Sequence, residues 1–248
     1  MRREFDMTDN VLTADLDEID RLINGCTLCT LGSKRTMAVP GNGSRTSDLM
    51  FIGEGPGYYE DQQGLPFVGR AGQLLNEMLS AIGLRREDVF VTNMIKCRAP
   101  NNRDPLPIEI RSCGPYLDRQ IELISPKVIV TLGRYSTAKF FPDEPIGKLR
   151  GTPANWNGIT IYPMYHPAAA LRNSTIRATL ERDFLKLPGL LEATPANAPA
   201  TPPPPEPQTT QLGLLDAPPS QPPASPPEEP AVQPPDETPP DPKQLGLF

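Results

Sequence analysis

No run of about 18 apolar residues occurs anywhere in the 248-residue chain, which excludes a membrane-spanning helix. The opening residues Met1-Arg-Arg-Glu-Phe-Asp6 lack the apolar stretch of a signal peptide. The expected compartment is therefore the cytoplasm, where thiols stay reduced and disulfides are not expected. Histidine occurs once, at His166. Apolar periodicity is missing from residues 194–248, which hold 19 of the 33 prolines. Such a stretch cannot bury enough apolar surface to offset its ordering entropy, and it reads as disordered and partly polyproline-II-like. The expected organisation is a folded domain over residues 1–193 followed by a proline-rich tail over 194–248.

Charge divides along the same line. The chain carries 24 basic and 30 acidic residues, a net of −6. The tail alone, with seven acids and one Lys, accounts for all of it. Residues 1–20 hold seven acids against two Arg, which leaves 21–193 basic by five charges. A modestly positive body within an acidic chain is compatible with nucleic-acid binding and does not demonstrate it.

Periodicity gives the elements. Val11 to Ile23 has helical spacing and runs into Cys26-Thr-Leu-Cys29. Leu49-Met-Phe-Ile52 reads as a buried strand, Ala71 to Ile82 as a helix closed by Gly83, and Val89-Phe-Val-Thr92 as a second strand. A helix over Pro107 to Leu123 follows, then a strand at Val128-Ile-Val-Thr-Leu132 and a helix from Gly133 to Phe140. Ile159-Thr-Ile-Tyr162 makes a fourth strand, and Thr175 to Leu187 a last helix. This alternation predicts an α/β fold: a single doubly wound domain with a central, mostly parallel four-stranded sheet flanked by helices. In such sheets ligands bind at the carboxyl ends of the strands. Glu54 follows the first strand, Asn93 the second and His166 the fourth, so all three are expected at one edge.

Cys26-x-x-Cys29, Cys97 and Cys113 are four thiols in a reducing compartment, which points to one metal centre. A tetrahedral zinc and a 4Fe–4S cluster both fit the residue types. Zinc sites usually bring two close pairs and this chain has one, so spacing leaves the metal open.

In order along the chain stand Gly53-Glu-Gly-Pro-Gly57, Glu60-Asp61, Gly64-Leu-Pro-Phe-Val-Gly-Arg-Ala-Gly72, Val91-Thr-Asn-Met-Ile-Lys-Cys-Arg98, Asn102-Arg-Asp-Pro105, Tyr165-His-Pro-Ala168 and Leu171-Arg-Asn173. This set, with the four cysteines, resembles the type 4 uracil-DNA glycosylases. The resemblance implies a 4Fe–4S cluster on Cys26, Cys29, Cys97 and Cys113. It also implies a repair hydrolase that flips uracil out of DNA and cleaves its N-glycosidic bond. Phe67 would then stack on the base. Asn93 would donate to uracil O4 and accept from N3–H, a pattern that cytosine inverts. Glu60 would wall off the thymine methyl. Gly53, Glu54 and Gly55 form the turn whose backbone N–H groups could hold uracil O2, with His166 donating to the same oxygen as charge develops. Glu54 is the carboxylate for orienting water or stabilising the sugar cation, and Asp61 is the second candidate. Leu171 and Arg172 could fill the gap in the DNA.

The tail carries Gln211-Leu-Gly-Leu-Leu215 and nearly repeats it at Gln244-Leu-Gly-Leu-Phe248. These resemble the short peptides with which bacterial repair proteins bind the DNA sliding clamp. Gln211 or Gln244 would set orientation, while Leu212, Leu214 and Leu215, or Leu245, Leu247 and Phe248, fill apolar pockets. The reading is a monomeric, nucleoid-associated repair enzyme with uracil-containing DNA and the clamp as partners. Its rivals are a glycosylase for another deaminated base and a non-catalytic iron–sulfur DNA-binding or clamp adaptor.

Overall fold

Leu49–Gly53 (β2) is buried at all five positions. Its alternate side chains divide between two apolar layers: Leu49 and Phe51 face one, Met50 and Ile52 the other. A strand covered on both faces reads as an unbroken apolar run, as this one does. The computed structural model describes residues 10–194. Residues 1–9 and 195–248, with both glutamine-led motifs, lie outside the described residues.

The sheet has six strands in the order β1-β3-β2-β4-β6-β5. Its four central strands are β3 (Phe90–Asn93), β2, β4 (Val128–Leu132) and β6 (Ile159–Met164), all mutually parallel. They are the four strands expected from the sequence. Two short antiparallel edges were not anticipated, β1 (Asn42–Gly43) on β3 and β5 (Ala154–Trp156) on β6. Two or three residues are too few to show alternation.

The long helices follow their start and stop signals. α1 (Leu16–Gly25) begins where Asp15 Oδ1 accepts from the Glu18 N–H at 2.8 Å. That cap breaks the single helix expected over Val11 to Ile23, because Asp competes for the backbone and starts a new helix. α2 (Tyr58–Gln63) is a short helix that the periodicity did not reveal. α3 (Arg70–Ala81) packs Leu75 and Leu79 on one face of the sheet. α4 (Pro107–Ile124) packs Leu117 and Ile121 on the other. α5 (Arg134–Ala138) and α6 (Ile146–Leu149) are short. α7 (Pro167–Ala170), α8 (Ser174–Phe184) and α9 (Leu187–Ala193) close the described fold, with Leu180 and Phe184 joining the α3 layer. Among the described residues no helix is long and apolar enough to cross a membrane.

This topology delivers the ends of β2, β3 and β6 to one edge. The Met94 and Ile95 N–H groups bond back to Gly53 and Glu54 carbonyls at 3.0 and 3.1 Å, so the first two strand ends are laced together. The Gly133 N–H bonds to the Met164 carbonyl at 2.9 Å and ties the end of β4 to that of β6.

Candidate active site and cysteine centre

A cavity of about 390 Å³ opens at this edge. Glu54, Gly55, Glu60, Phe67, Asn93 and His166 all line it, as do Asn102, the last residue of the turn Pro100–Asn102, and Arg103, which follows it. Glu54, Asn93 and His166 are thus brought together from three strand ends, as the doubly wound pattern expects.

Asn93 is 1% exposed, and its Oδ1 is buried without a hydrogen-bond partner. A buried acceptor left bare costs about 1–3 kcal/mol, so a polar atom in this position calls for a donor from a bound group. Gly53 makes the arrangement possible. A Cβ there would stand 2.4 Å from Asn93 Oδ1 and 2.7 Å from the Phe67 ring, so any larger residue would displace both. Gly53 shapes the cavity from beneath.

Phe67 sits at φ 56, in the left-handed region that a residue with a Cβ seldom adopts. Two features hold it there. The Val68 and Gly69 N–H groups both donate to Glu60 Oε1 at 3.0 Å. Gly72 lies so close beneath that a Cβ would fall 1.7 Å from the Phe67 carbonyl oxygen. The fixed ring stacks on His166 with centroids 5.6 Å apart and planes 27° from parallel.

His166 Nδ1 accepts from the Ala168 N–H at 3.1 Å, capping α7. An acceptor Nδ1 leaves the neutral ring's proton on Nε2. Burial pushes the pKa down to about 4, with Glu60 pulling weakly the other way. The imidazole is therefore neutral at physiological pH and presents one N–H. Glu54 is half-buried, and its pKa is raised first by burial and then by the nearby Asp104 charge, against the pull of Arg134. It is a carboxylate made more basic.

Other expected site residues stand elsewhere. Asp61 is 4% exposed and is not a cavity wall; its Oδ1 accepts from the Thr36 N–H at 2.9 Å. Its job is to hold a loop, because one residue further round α2 turns the carboxylate away from the cavity that Glu60 faces. Leu171 is partly buried and packs against the α3 layer. Arg172 is exposed. Sequence reasoning missed roles for Asn102 and Arg103. Arg103 is anchored to the fully buried Glu109 at 2.6 Å, and its one sequence signal was the polar Asn102-Arg-Asp-Pro105 block.

Cys26, Cys29, Cys97 and Cys113 line a second, smaller cavity between α1, α4 and the segment after β3, together with Arg35, Lys96 and Tyr116. Arg35 Nη1 lies 3.0 Å from Cys97 Sγ as a donor. Among the described residues no three His, Cys, Asp or Glu side chains converge closely enough to hold a metal ion. Lys96 lies between the two cavities. Its buried Nζ donates to Thr92 Oγ1 (2.6 Å), the Asn93 carbonyl (2.9 Å) and Gln120 Oε1 (2.7 Å).

Residues 40–186 match the family described as the uracil DNA glycosylase superfamily. The chain is 50% identical over 191 residues to a type-4 uracil-DNA glycosylase of Saccharolobus solfataricus, covering 73% of this chain and 88% of that one. It is 46% identical to a protein of the same name from Archaeoglobus fulgidus, over 69% of this chain and 91% of the relative. A third such relative, from Thermotoga maritima, is 45% identical over 64% of this chain and 84% of its own length.

Proposed function

The chain belongs to the uracil DNA glycosylase superfamily, beside its type-4 members, and from that premise we propose how its cavity excises uracil from DNA. The reaction is hydrolysis of the bond between uracil N1 and deoxyribose C1′, leaving an abasic site. The observation that carries the account of recognition is the partnerless Oδ1 of Asn93. Uracil N3–H would satisfy it, while the Asn93 amide N–H donates to O4. Cytosine offers a lone pair at N3 and a donor at the exocyclic amine, so both contacts would clash. Mispairing buried polar groups in this way is strongly discriminating.

Phe67 supplies the apolar platform for the flipped base, and Glu60, pinned by two backbone N–H groups, gives a rigid wall where thymine carries its methyl. As the bond breaks, negative charge gathers on uracil O2. The neutral His166 donates to that oxygen through Nε2, beside the backbone of Glu54 and Gly55. A neutral donor lowers the energy of the departing anion without transferring a proton, which favours charge stabilisation over general acid catalysis. Glu54 orients the attacking water or shields the sugar cation. Arg103 and Asn102 line the same cavity and would offer donors to the incoming strand.

The cysteine cavity suits a 4Fe–4S cluster. Four thiols line one space, and Arg35 donates toward a sulfur as it would to a thiolate. When bound, the cluster would cross-link α1, the segment after β3 and α4. Lys96 carries that ordering to the Asn93 carbonyl.

For residues 194–248 the proposal rests on sequence: a tether carrying two clamp-binding segments, Gln211 to Leu215 and Gln244 to Phe248. Removing both should abolish binding to the sliding clamp while leaving excision from short oligonucleotides unchanged. Retained clamp binding would end that reading.

Asn93→Asp tests recognition directly. A carboxylate can accept but not donate, so kcat/KM for uracil should fall about 100-fold and the preference over cytosine should narrow. Equal excision by both proteins would remove Asn93 from the role.

A further inference from the structure

Beside the cavity stand two tyrosines that the mechanism does not use. Tyr58 and Tyr59 open α2 and are 54% and 59% exposed. They lie in sequence between Gly57 and Glu60, both of which line the cavity. Their rings meet edge to face at 5.5 Å. Tyr59 also lies against the segment that carries Phe67, its ring 3.6 Å from where a Cβ on Gly69 would project. Single exposed aromatics are ordinary; two adjacent rings at the mouth of a base-binding cavity are a surface that a planar partner would cover.

A cation completes the rim. The Arg98 guanidinium lies 5.2 Å from the centre of the Tyr58 ring, and its Nε donates to Asn102 Oδ1 at 2.8 Å. Asn102 is itself a cavity wall. Nearby arginines are each paired with an acid, Arg103 with Glu109 and Arg134 with Asp104. Arg98 has no ion pair among the described residues, so its charge is free for a ligand. Aromatic platforms joined to a free cation are the combination that holds single-stranded nucleic acid: bases stack on the rings and phosphates meet the positive charge.

Resting on the reading of this site as a uracil excision centre, we propose that Tyr58, Tyr59 and Arg98 form a nucleotide subsite at its rim. A base adjacent to the flipped uracil stacks on the tyrosine pair, and the phosphate between the two nucleotides pairs with Arg98. In a duplex that neighbouring base is held by its partner strand, whereas in single-stranded DNA it is free to turn onto the rings. The subsite therefore favours uracil in single-stranded DNA.

The test pairs protein variants with substrates. Single-stranded oligonucleotides carry one uracil flanked either by normal nucleotides or by abasic sugars, and kcat/KM is measured for wild type, Tyr59→Ala and Tyr59→Phe. With normal flanks, Tyr59→Ala should lose about 5- to 100-fold, the range for one lost base–aromatic stack. Most of the loss should fall in KM, and Tyr59→Phe should restore it. With abasic flanks, wild type should fall to the level of Tyr59→Ala, and the variant should lose nothing more. In parallel, Arg98→Ala should reduce the slope of log affinity against log salt by about one. Equal losses from Tyr59→Ala on both substrates would overturn the subsite while leaving uracil excision standing. No uracil release by wild type from either substrate would overturn the excision reading as well.

Discussion

Lowering the pH from 7 toward 4.5 should expose what holds His166 neutral. Its pKa is pushed from 6.5 down to about 4 by burial, against the opposing pull of the Glu60 charge. Between those values the unfolded chain binds a proton that the folded chain refuses, so stability is full above about 6.5 and drains away as pH falls. At 1.36 kcal/mol per pKa unit, the interval is worth about 3 kcal/mol for a sealed ring. It comes nearer 2 kcal/mol with the cavity's solvent at one face. Urea unfolding of wild type and His166→Asn across this range isolates the effect, because every carboxylate titrates in both proteins. Wild type should lose about 2 kcal/mol more than the variant between pH 7 and 4.5. The single-turnover excision rate should meanwhile stay flat from pH 8 to about 5.5, since no imidazolium is consumed. Parallel stability curves, or a rate that climbs as pH drops through 6.5, would refute the neutral donor and return the residue to general acid catalysis.

Gly53→Ala should cost about 1–3 kcal/mol of stability from overpacking and at least tenfold in excision rate, because the new methyl drives into both Asn93 and Phe67; a wild-type rate and melting temperature would contradict the close contact. Cys113→Ser should lower iron and sulfide content together and reduce the melting temperature, as read by metal analysis and calorimetry. Stoichiometric zinc without iron in the wild-type protein would contradict the cluster.

The long elements were legible because their apolar residues repeat over many positions, as Leu49 to Ile52 and Val128 to Leu132 do. The convergence of Glu54, Asn93 and His166 was legible too, since parallel connections place every strand's carboxyl end on one side. What stayed hidden depended on rotation and distance. Glu60 and Asp61 are adjacent carboxylates, and only the turn of α2 decides that the first reaches the Phe67 loop while the second anchors Thr36. The sequence places Leu171 after the His-Pro turn, but its partial burial against core residues shows only in space. Arg98 became visible as a free charge only once the partners of Arg103 and Arg134 were known.

The measurement that bears most directly on the central claim is base release from a labelled oligonucleotide containing a single uracil, read by alkaline cleavage at the abasic site. Matched thymine, cytosine and hypoxanthine substrates run beside it. Release from uracil alone is the expected result. No release by protein with its cluster intact, or equal release from hypoxanthine or cytosine, would contradict the account of the cavity.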